Sequence, residues 1–449
     1  MLRRSLRQGL LQGSLTVLVF AIAVARCAIA LPSGSDQAQA LGTHARARTP
    51  TSVAAARPST TKKAVAKPTR GHKSTSSTVT TATSSTTTTA PSTTTTSGTP
   101  ITPPMQPSSF IARQGTGLSL NGQPYKFVGY NVPWIAPSCG GSDSSWFDIT
   151  YPDLTTHSKA NLVRAVAAQV FRNGSLDFSA FDTYVASAKK YGLRIVPALT
   201  DNWGQCGDGN GEKYLPWWQT GYVLPESASQ PLSYQQYAVA FAKHYANEPT
   251  IAWYQLANEP DARNRDGSCS ATAAASALRT FADTMTDAIK LVDPNHMVDL
   301  GAISWCGGEG ADYGYVNAGK VDLCDIHHDY KATVAMPSTE QSRINQCLVI
   351  DDKPGFIGES GICASVDASG NCTGATSAAS LQNRANDFGA KMNAGFQAGL
   401  SGYVIWQAAH GCSGSNSSWD IGASNANPSY NCAVAGPDPM EAVMAGFAS

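Results

Sequence analysis

The sequence has no excess of charge of either sign, since 32 lysines and arginines balance 32 aspartates and glutamates. A zero balance gives no electrostatic reason to expect nucleic acid or an anionic membrane as a partner. Aromatic residues are almost missing from the first hundred positions and are concentrated in the remainder. That remainder, about 340 residues long, has the size of one large barrel domain.

The N-terminal apolar run is short for a membrane span, which needs about 20 residues. It extends from Leu10 to Val24, after three arginines and before small residues at positions 28–30 and 38–40. This order is typical of an export signal, which we place in residues 1–40. We therefore expect a secreted, extracellular protein without a stable membrane partner; an uncleaved signal anchor is the alternative.

The cysteines lack the C-x-x-C and paired His–Cys spacings that are typical of zinc sites. Cys27 falls in the signal segment, and the other cysteines, an even number, lie within residues 139–432. An even number in an exported chain favours disulfides. Cys363 with Cys372 and Cys412 with Cys432 are plausible local pairs, and the remaining pairings stay open.

Large apolar residues are nearly absent from residues 41–107, where threonine, serine, alanine, proline and basic residues dominate. Such a segment cannot bury enough surface to offset the entropy lost on ordering, so we expect a disordered linker. The run from Ser76 to Ser97 resembles an O-glycosylated stalk. The basic first half of the linker could contact an acidic cell-wall polymer, although a solvated spacer is the simpler interpretation.

After the linker, short apolar strands alternate with helical patterns over residues 108–449, and Asn121-Gly122 predicts a hairpin turn ahead of them. The predicted strands are Tyr125–Tyr130, Gln169–Arg172, Arg194–Leu199, Ile251–Leu256, Met297–Leu300, Asp325–His328, Gly355–Gly358 and Gly402–Trp406. The predicted helices include Phe178–Tyr191, Tyr234–Tyr245, Ala271–Val292 and Ala378–Ala398. This alternation predicts an α/β fold, a (β/α)8 TIM barrel. No glycine-rich phosphate loop follows the first strand, and we expect no cofactor.

Polar and aromatic residues follow the predicted strands at their carboxyl ends, where a TIM barrel carries its active site. Strand four ends at Asn258 and Glu259, and strand seven ends at Glu359. Two carboxyl groups facing each other across a barrel mouth can protonate a glycosidic oxygen and meet the anomeric carbon. The pattern therefore predicts a glycoside hydrolase.

Two motifs around these glutamates resemble glycoside hydrolase family 5. The segment YQLANEP, ending at Pro260, is similar to the Asn-Glu-Pro motif of that family, and FIGESG, ending at Gly361, is similar to its strand-seven motif. The resemblance extends over roughly residues 110–449 and implies a retaining mechanism. It makes Glu259 the acid/base and Glu359 the nucleophile, so that Glu259 must hold a proton near neutral pH while Glu359 does not.

The resemblance also implies two polar contacts at the reacting centre. Asn258 would hydrogen-bond the 2-hydroxyl of the sugar. Arg172 would pair with Glu359 and keep it ionised, as a neighbouring cation does. Arg164 is the rival for that role. In family members the arginine is often followed by an apolar residue or tryptophan, whereas Asn173 follows Arg172.

Strands six, eight and three are expected to supply the remaining substrate-binding residues. His328 and Tyr330 match the His-x-Tyr of the family, with Tyr330 holding the nucleophile, and Trp406 would form the platform under the sugar. Trp203 is a candidate sugar-stacking residue in the strand-three loop. The pair His327-His328 could suggest a metal site, but no further ligands stand at a matching spacing, so we expect none; one of the two would point outward.

The strand-three loop, Asp201 to Gly221, resembles that of the mannanase branch, which favours β-1,4-mannan with β-1,4-glucan next. A barrel that only binds wall polysaccharide and a transglycosylase are the alternative functions. The hydrolase and the transglycosylase would both take a polysaccharide or oligosaccharide substrate. We expect the protein to be a monomer.

If the linker is a passive spacer, a protein that begins at Pro107 should fold and keep full activity on small soluble glycosides. Its rates are to be compared with those of the longer secreted form on soluble and on insoluble substrate. Loss of activity on the soluble glycoside would contradict the spacer, whereas loss on insoluble material alone would indicate targeting.

Overall fold

The structure is a computed structural model. It describes residues 109–133, 145–205, 211–225, 227, 230–308, 311–327, 335–373, 377–408, 412, 419–422 and 431–448. The predicted signal and linker lie outside these residues, as do Cys139, Cys206, His328 and Tyr330.

An eight-stranded, all-parallel sheet forms a nearly closed barrel, which confirms the predicted fold. Its strands, in chain order, are β4 (Phe127–Asn131), β5 (Leu162–Val166), β8 (Arg194–Ala198), β9 (Trp253–Gln255), β10 (Met297–Asp299), β11 (Cys324–His327), β12 (Gly355–Glu359) and β13 (Gly402–Ile405). The two ends of the sheet, β10 and β11, meet at Asp322. The backbone N–H of Asp322 donates to the carbonyl of Val298 at 2.7 Å, and the Asp322 carboxylate accepts from the N–H of Val298 at 2.8 Å.

Nine helices of α type lie in the described part of the chain, most of them between successive barrel strands. They are α1 (Ser145–His157), α2 (Ser179–Lys190), α3 (Leu215–Gln219), α4 (Tyr234–Tyr245), α5 (Ala271–Lys290), α6 (Ala311–Asn317), α7 (Ser338–Asn345), α8 (Ala378–Gln397) and α9 (Pro439–Ala445). A 3-10 turn (Gly221–Val223) and a π turn (Gln346–Ile350) extend α3 and α7. Helix α4 begins with a full capping box, since Ser233 and Gln236 each accept from the other's backbone N–H.

The second predicted strand, Gln169–Arg172, was wrong, because the barrel strand lies earlier, at Leu162–Val166. Residues 171–172 (β6) pair instead with Ser175–Leu176 (β7) as a small antiparallel hairpin. Asn173 and Gly174 have φ of 52° and 79°, which suits a tight hairpin turn. The sequence pattern did not indicate the strand at Leu162–Val166, because Arg164 interrupts its otherwise apolar run. The other predicted strands lie within a few residues of their expected places.

A three-stranded antiparallel sheet precedes the barrel and comprises β1 (Ile111–Gln114), β2 (Gly117–Leu120) and β3 (Gln123–Tyr125). The predicted turn joins β2 to β3, with Asn121 and Gly122 at φ of 56° and 74°. Ile111 and Leu118 of this sheet pack with apolar residues from the barrel strands. One end of the barrel is thereby closed to water, and the polar strand ends remain at the other.

The interior of the barrel near this sheet is filled by an aromatic cluster of Phe127, Trp253 and Phe356, with ring centroids 5.1 to 5.7 Å apart. Gly402 faces Phe127 so closely that an added Cβ would lie 2.2 Å from the ring. A glycine is therefore required at the start of β13 for the cluster to close.

Four disulfides lie in the described part of the chain, and they include both predicted local pairs, Cys363–Cys372 and Cys412–Cys432. The other two are Cys269–Cys306 and Cys324–Cys347. Cys324–Cys347 joins the start of β11 to the π turn. Among the described helices, none combines the length and the apolar character needed to cross a membrane.

Gly402→Ala should destabilise the barrel by about 1–3 kcal/mol, because the added methyl overpacks against Phe127. Gly389→Ala is the matched control. It lies inside α8, where the nearest atom to an added Cβ is 3.6 Å away, and alanine should stabilise the helix by about 0.5–1 kcal/mol. Urea unfolding of the two variants measures both effects. Equal stability of the two would contradict the packing described here.

Candidate active site

The centre of the site is Arg164, the third residue of β5, whose side chain is 3% exposed. Its Nη1 donates to Glu359 Oε1 at 2.6 Å and to Asn131 Oδ1 at 2.7 Å. Its Nε donates to Gln255 Oε1 at 2.8 Å, and its Nη2 donates to Asn258 Oδ1 at 2.7 Å. One guanidinium thus joins the carboxyl ends of strands β4, β5, β9 and β12.

Arg172 does not pair with Glu359, so that prediction was wrong. Its side chain is 71% exposed and forms a salt bridge with Asp177 at 2.7 Å. Arg164, the rival, holds Glu359. A barrel strand directs alternate side chains inward, and β5 places Arg164 where the short hairpin at residues 171–176 cannot place Arg172.

Glu259 and Glu359 lie together at the barrel mouth, with a carboxylate oxygen of each within 4.8 Å of the other. His327, the last residue of β11, stands between them. Its Nδ1 is 2.9 Å from Glu259 Oε1 and 3.5 Å from Glu359 Oε2. The imidazole therefore hydrogen-bonds one carboxylate and lies at ion-pair distance from the other.

Glu259 is held on its other side by Trp203, whose indole N–H donates to Oε2 at 2.6 Å. The guanidinium carbon of Arg263 lies 5.1 Å from the centre of the Trp203 ring. The indole N–H of Trp203 thus hydrogen-bonds Glu259. Contact between the Trp203 ring and a sugar remains a prediction. Glu259 itself has φ of 45°, a strained conformation for a residue with a side chain.

The charges of these groups are coupled. Burial lowers the pKa of His327, but the carboxylates of Glu359, Asp325 and Glu259 outweigh it and raise the pKa to about 10. Burial raises the pKa of Glu259, but the hydrogen bond and charge of His327 outweigh it, and the pKa lies below its usual value. Both pKa shifts favour an ionised Glu259 beside a protonated His327 in the free site.

A second layer of acids lies beneath Arg164. The Gln255 amide donates to Asp325 Oδ2 at 2.6 Å and to Asp299 Oδ1 at 3.2 Å. Burial and the nearby charge of Asp325 raise the pKa of Asp299 well above its usual value. An added Cβ at Gly358 would lie 2.1 Å from Asp325, so glycine before Glu359 makes room for this layer.

The cavity above these groups is lined by residues that include Pro133, Asp201, Asn258 and Trp406. Asn258 accepts from Arg164 and donates to Asp201 Oδ1 at 2.8 Å. Among the described residues, no acceptor is seen for the second N–H of the Asn258 amide. Trp406 directly follows β13, as expected for a residue of the barrel mouth.

His328 and Tyr330 lie outside the described residues, so their roles stay predictions. Sequence reasoning missed His327, because it assigned the site role to His328 and expected one of the two histidines to point outward. The alternation of strand β11 could have found it, because Asp325 and His327 are two positions apart and share a face. Asn131 and Gln255 were also missed; each is a polar residue in an apolar strand, which calls for a buried partner.

The fold and the polar residues at the barrel mouth define a (β/α)8 barrel with two facing glutamates, and comparison with known proteins identifies its family. The family model described as Cellulase (glycosyl hydrolase family 5) matches residues 118–395. The chain therefore belongs to glycosyl hydrolase family 5.

Individual relatives are more distant. Mannan endo-1,4-beta-mannosidase 3 from Arabidopsis thaliana is 26% identical over 222 residues, covering 43% of this chain and 50% of that protein. The chain thus spans about half the length of the curated relatives it matches.

Among solved structures, the endo-1,4-beta-mannanase from Rhizomucor miehei has a TM-score of 0.55 and 18% identity, over 76% of this chain and 99% of that one. A beta-glucanase from Saccharophagus degradans has a TM-score of 0.50 and 16% identity, over 76% of this chain and 93% of that one. At these identities the likeness shows the fold alone.

Arg164→Lys should lower kcat/KM by roughly 10²-fold, because lysine cannot replace the planar fork that fixes Glu359, Asn258 and Gln255 together. Arg172→Lys is the matched control and should stay within about twofold of wild type. Arg172 is exposed, and its salt bridge is with Asp177, which is not among the site residues. Steady-state kinetics on one soluble substrate measures both. A larger loss at Arg172 than at Arg164 would contradict the assignment.

Proposed function

We propose that this protein is a retaining β-glycoside hydrolase in which Glu359 is the nucleophile and Glu259 is the acid/base. The single observation that carries the proposal is the distance between the two glutamates, which is within 4.8 Å at their nearest oxygens. Retaining enzymes hold their carboxyl groups about 5–5.5 Å apart, whereas inverting enzymes need about 6.5–9.5 Å to admit a water molecule.

In the first step a Glu359 oxygen bonds to the anomeric carbon while the bond to the glycosidic oxygen breaks. That oxygen takes a proton from Glu259, and a glycosyl ester forms on Glu359. In the second step Glu259 removes a proton from water, whose oxygen attacks the anomeric carbon and releases Glu359. The sugar leaves with its original configuration.

The neighbours of the two glutamates support this division of roles. Arg164 donates directly to Glu359 and favours its ionised form. Glu259 instead receives its hydrogen bonds from Trp203 and from His327. The raised pKa of His327 favours a proton on its imidazole, which can pass to Glu259 along their 2.9 Å hydrogen bond as the leaving group departs.

We propose β-1,4-mannan as the first substrate to test and β-1,4-glucan as the second. The relatives named as mannan endo-1,4-beta-mannosidases support mannan, and the beta-glucanase among the structural neighbours keeps glucan open. Disulfides and the signal-like N-terminus support secretion, with cell-wall association and a monomeric state as further parts of the proposal. A panel of polysaccharides with product analysis separates hydrolysis from binding alone and from transglycosylation.

The roles of the two glutamates can be tested separately. Glu359→Ala should abolish turnover of polysaccharide and of activated aryl glycoside alike, and azide should restore a product of inverted configuration. Glu259→Ala should slow polysaccharide hydrolysis by about 10²–10⁴-fold. An activated aryl glycoside should still form the intermediate in that variant, and azide should give a retained product.

Glu248→Gln is the control for loss of a partly buried glutamate, since Glu248 lies ahead of β9 and binds Lys189 and the N–H of Thr250. It should keep wild-type activity. Full activity in either alanine variant would refute the site, and retained azide product from Glu359→Ala would exchange the two roles.

A further inference from the structure

A second cluster of potential metal ligands lies away from the barrel mouth. Asp153 and His157 stand on the last turns of α1, and Glu441 stands in the first turn of α9. One ligand atom from each of the three lies within 4.8 Å of the others. The i, i+4 spacing of Asp153 and His157 puts both on one face of α1, and α9 packs against that helix.

Glu441 is the most unusual member of this cluster. It is 1% exposed, and neither of its carboxylate oxygens has a hydrogen-bond partner among the described residues. A buried carboxylate without partners is costly, so such groups are normally paired or bound to a metal ion. Glu441 lies with the other two potential ligands, whose side chains are 13% and 34% exposed. A path from solvent to the cluster therefore exists on the His157 side.

The surrounding charges also call for a cation. Two further carboxylates, Asp153 and Asp438, act on Glu441. Arg384 is bound to Asp438 and to the Asp420 carbonyl, and His157 pairs with Asp153. Neither of these basic side chains hydrogen-bonds Glu441 in the described part of the chain. A divalent ion would supply the positive charge that Glu441 lacks, and the end of α1 favours such a charge.

We propose that Asp153, His157 and Glu441 bind a divalent metal ion of the zinc class, which joins α9 to α1. One imidazole nitrogen with two carboxylates suits zinc or a similar transition metal, whereas calcium and magnesium prefer oxygen ligands alone. Ligand atoms of one tetrahedral zinc lie about 3.4 Å apart, so small side-chain rotations would bring all three to the ion. Water would complete the coordination. The role is structural, because the cluster includes none of the groups assigned to sugar chemistry.

A proton on Glu441 is the alternative occupant, since burial and the nearby carboxylates raise the pKa of this group to about 9. The test compares the two on the whole secreted chain, free of any histidine tag and stripped with a chelator. Zn²⁺ should raise the melting temperature by several degrees with one ion bound per chain. Co²⁺ should give visible absorption bands of a site with nitrogen and oxygen ligands.

Glu441→Gln and His157→Gln should each remove the Zn²⁺-dependent rise and the Co²⁺ bands. His244→Gln is the matched control, because His244 also pairs with a helix carboxylate, Asp182, but is 40% exposed. Glu359→Gln controls for the other imidazole–carboxylate cluster, at the barrel mouth. Both controls should keep the response. No response in the wild type, a response that survives both site substitutions, or equal loss in a control would overturn the proposal.

Discussion

The site depends on one buried cation, the guanidinium of Arg164. A buried ion pair contributes little net stability, because desolvation offsets much of the attraction. Its contribution here is geometric and electrostatic. Arg164 binds residues from three other strands and holds Glu359 at 2.6 Å. Burial alone would lower the pKa of Arg164, but Glu359 and Asp325 raise it. The charge therefore persists, and Glu359 has a permanent partner.

A single proton on His327 organises the opposite side of the site. The positive charges of Arg164 and His327 offset the negative charges of the two glutamates, which lowers the cost of burying the glutamates. His327 lies between the two carboxylates and is itself supported by Asp325 at 3.6 Å. When Glu359 becomes an ester, the largest of the attractions that raise the pKa of His327 disappears. Formation of the intermediate would thus lower the pKa of His327 and ease transfer of its proton to Glu259.

The barrel and both glutamates could be predicted from the sequence, because strand ends in this fold meet at one face and the two motifs are local. Arg164 could not be ranked above Arg172, since both follow apolar residues and only strand pairing separates them. His327 differs from its neighbour only by strand alternation, which depends on knowing where β11 begins. The aromatic cluster around Phe127 joins residues that are far apart in sequence, and Glu441 meets the Asp153–His157 pair only through the packing of α9 against α1. No local pattern could have revealed them.

The central claim is that Glu359 attacks the sugar directly. It rests on the carboxylate oxygens of Glu259 and Glu359, which lie within 4.8 Å of each other, below the about 6.5–9.5 Å that separates the carboxyl groups of inverting enzymes. The most direct test follows the anomeric protons of the first product by NMR while a β-1,4-linked oligosaccharide is hydrolysed. The account predicts that the β-anomer forms first and then mutarotates. Initial release of the α-anomer would show inversion and contradict the account.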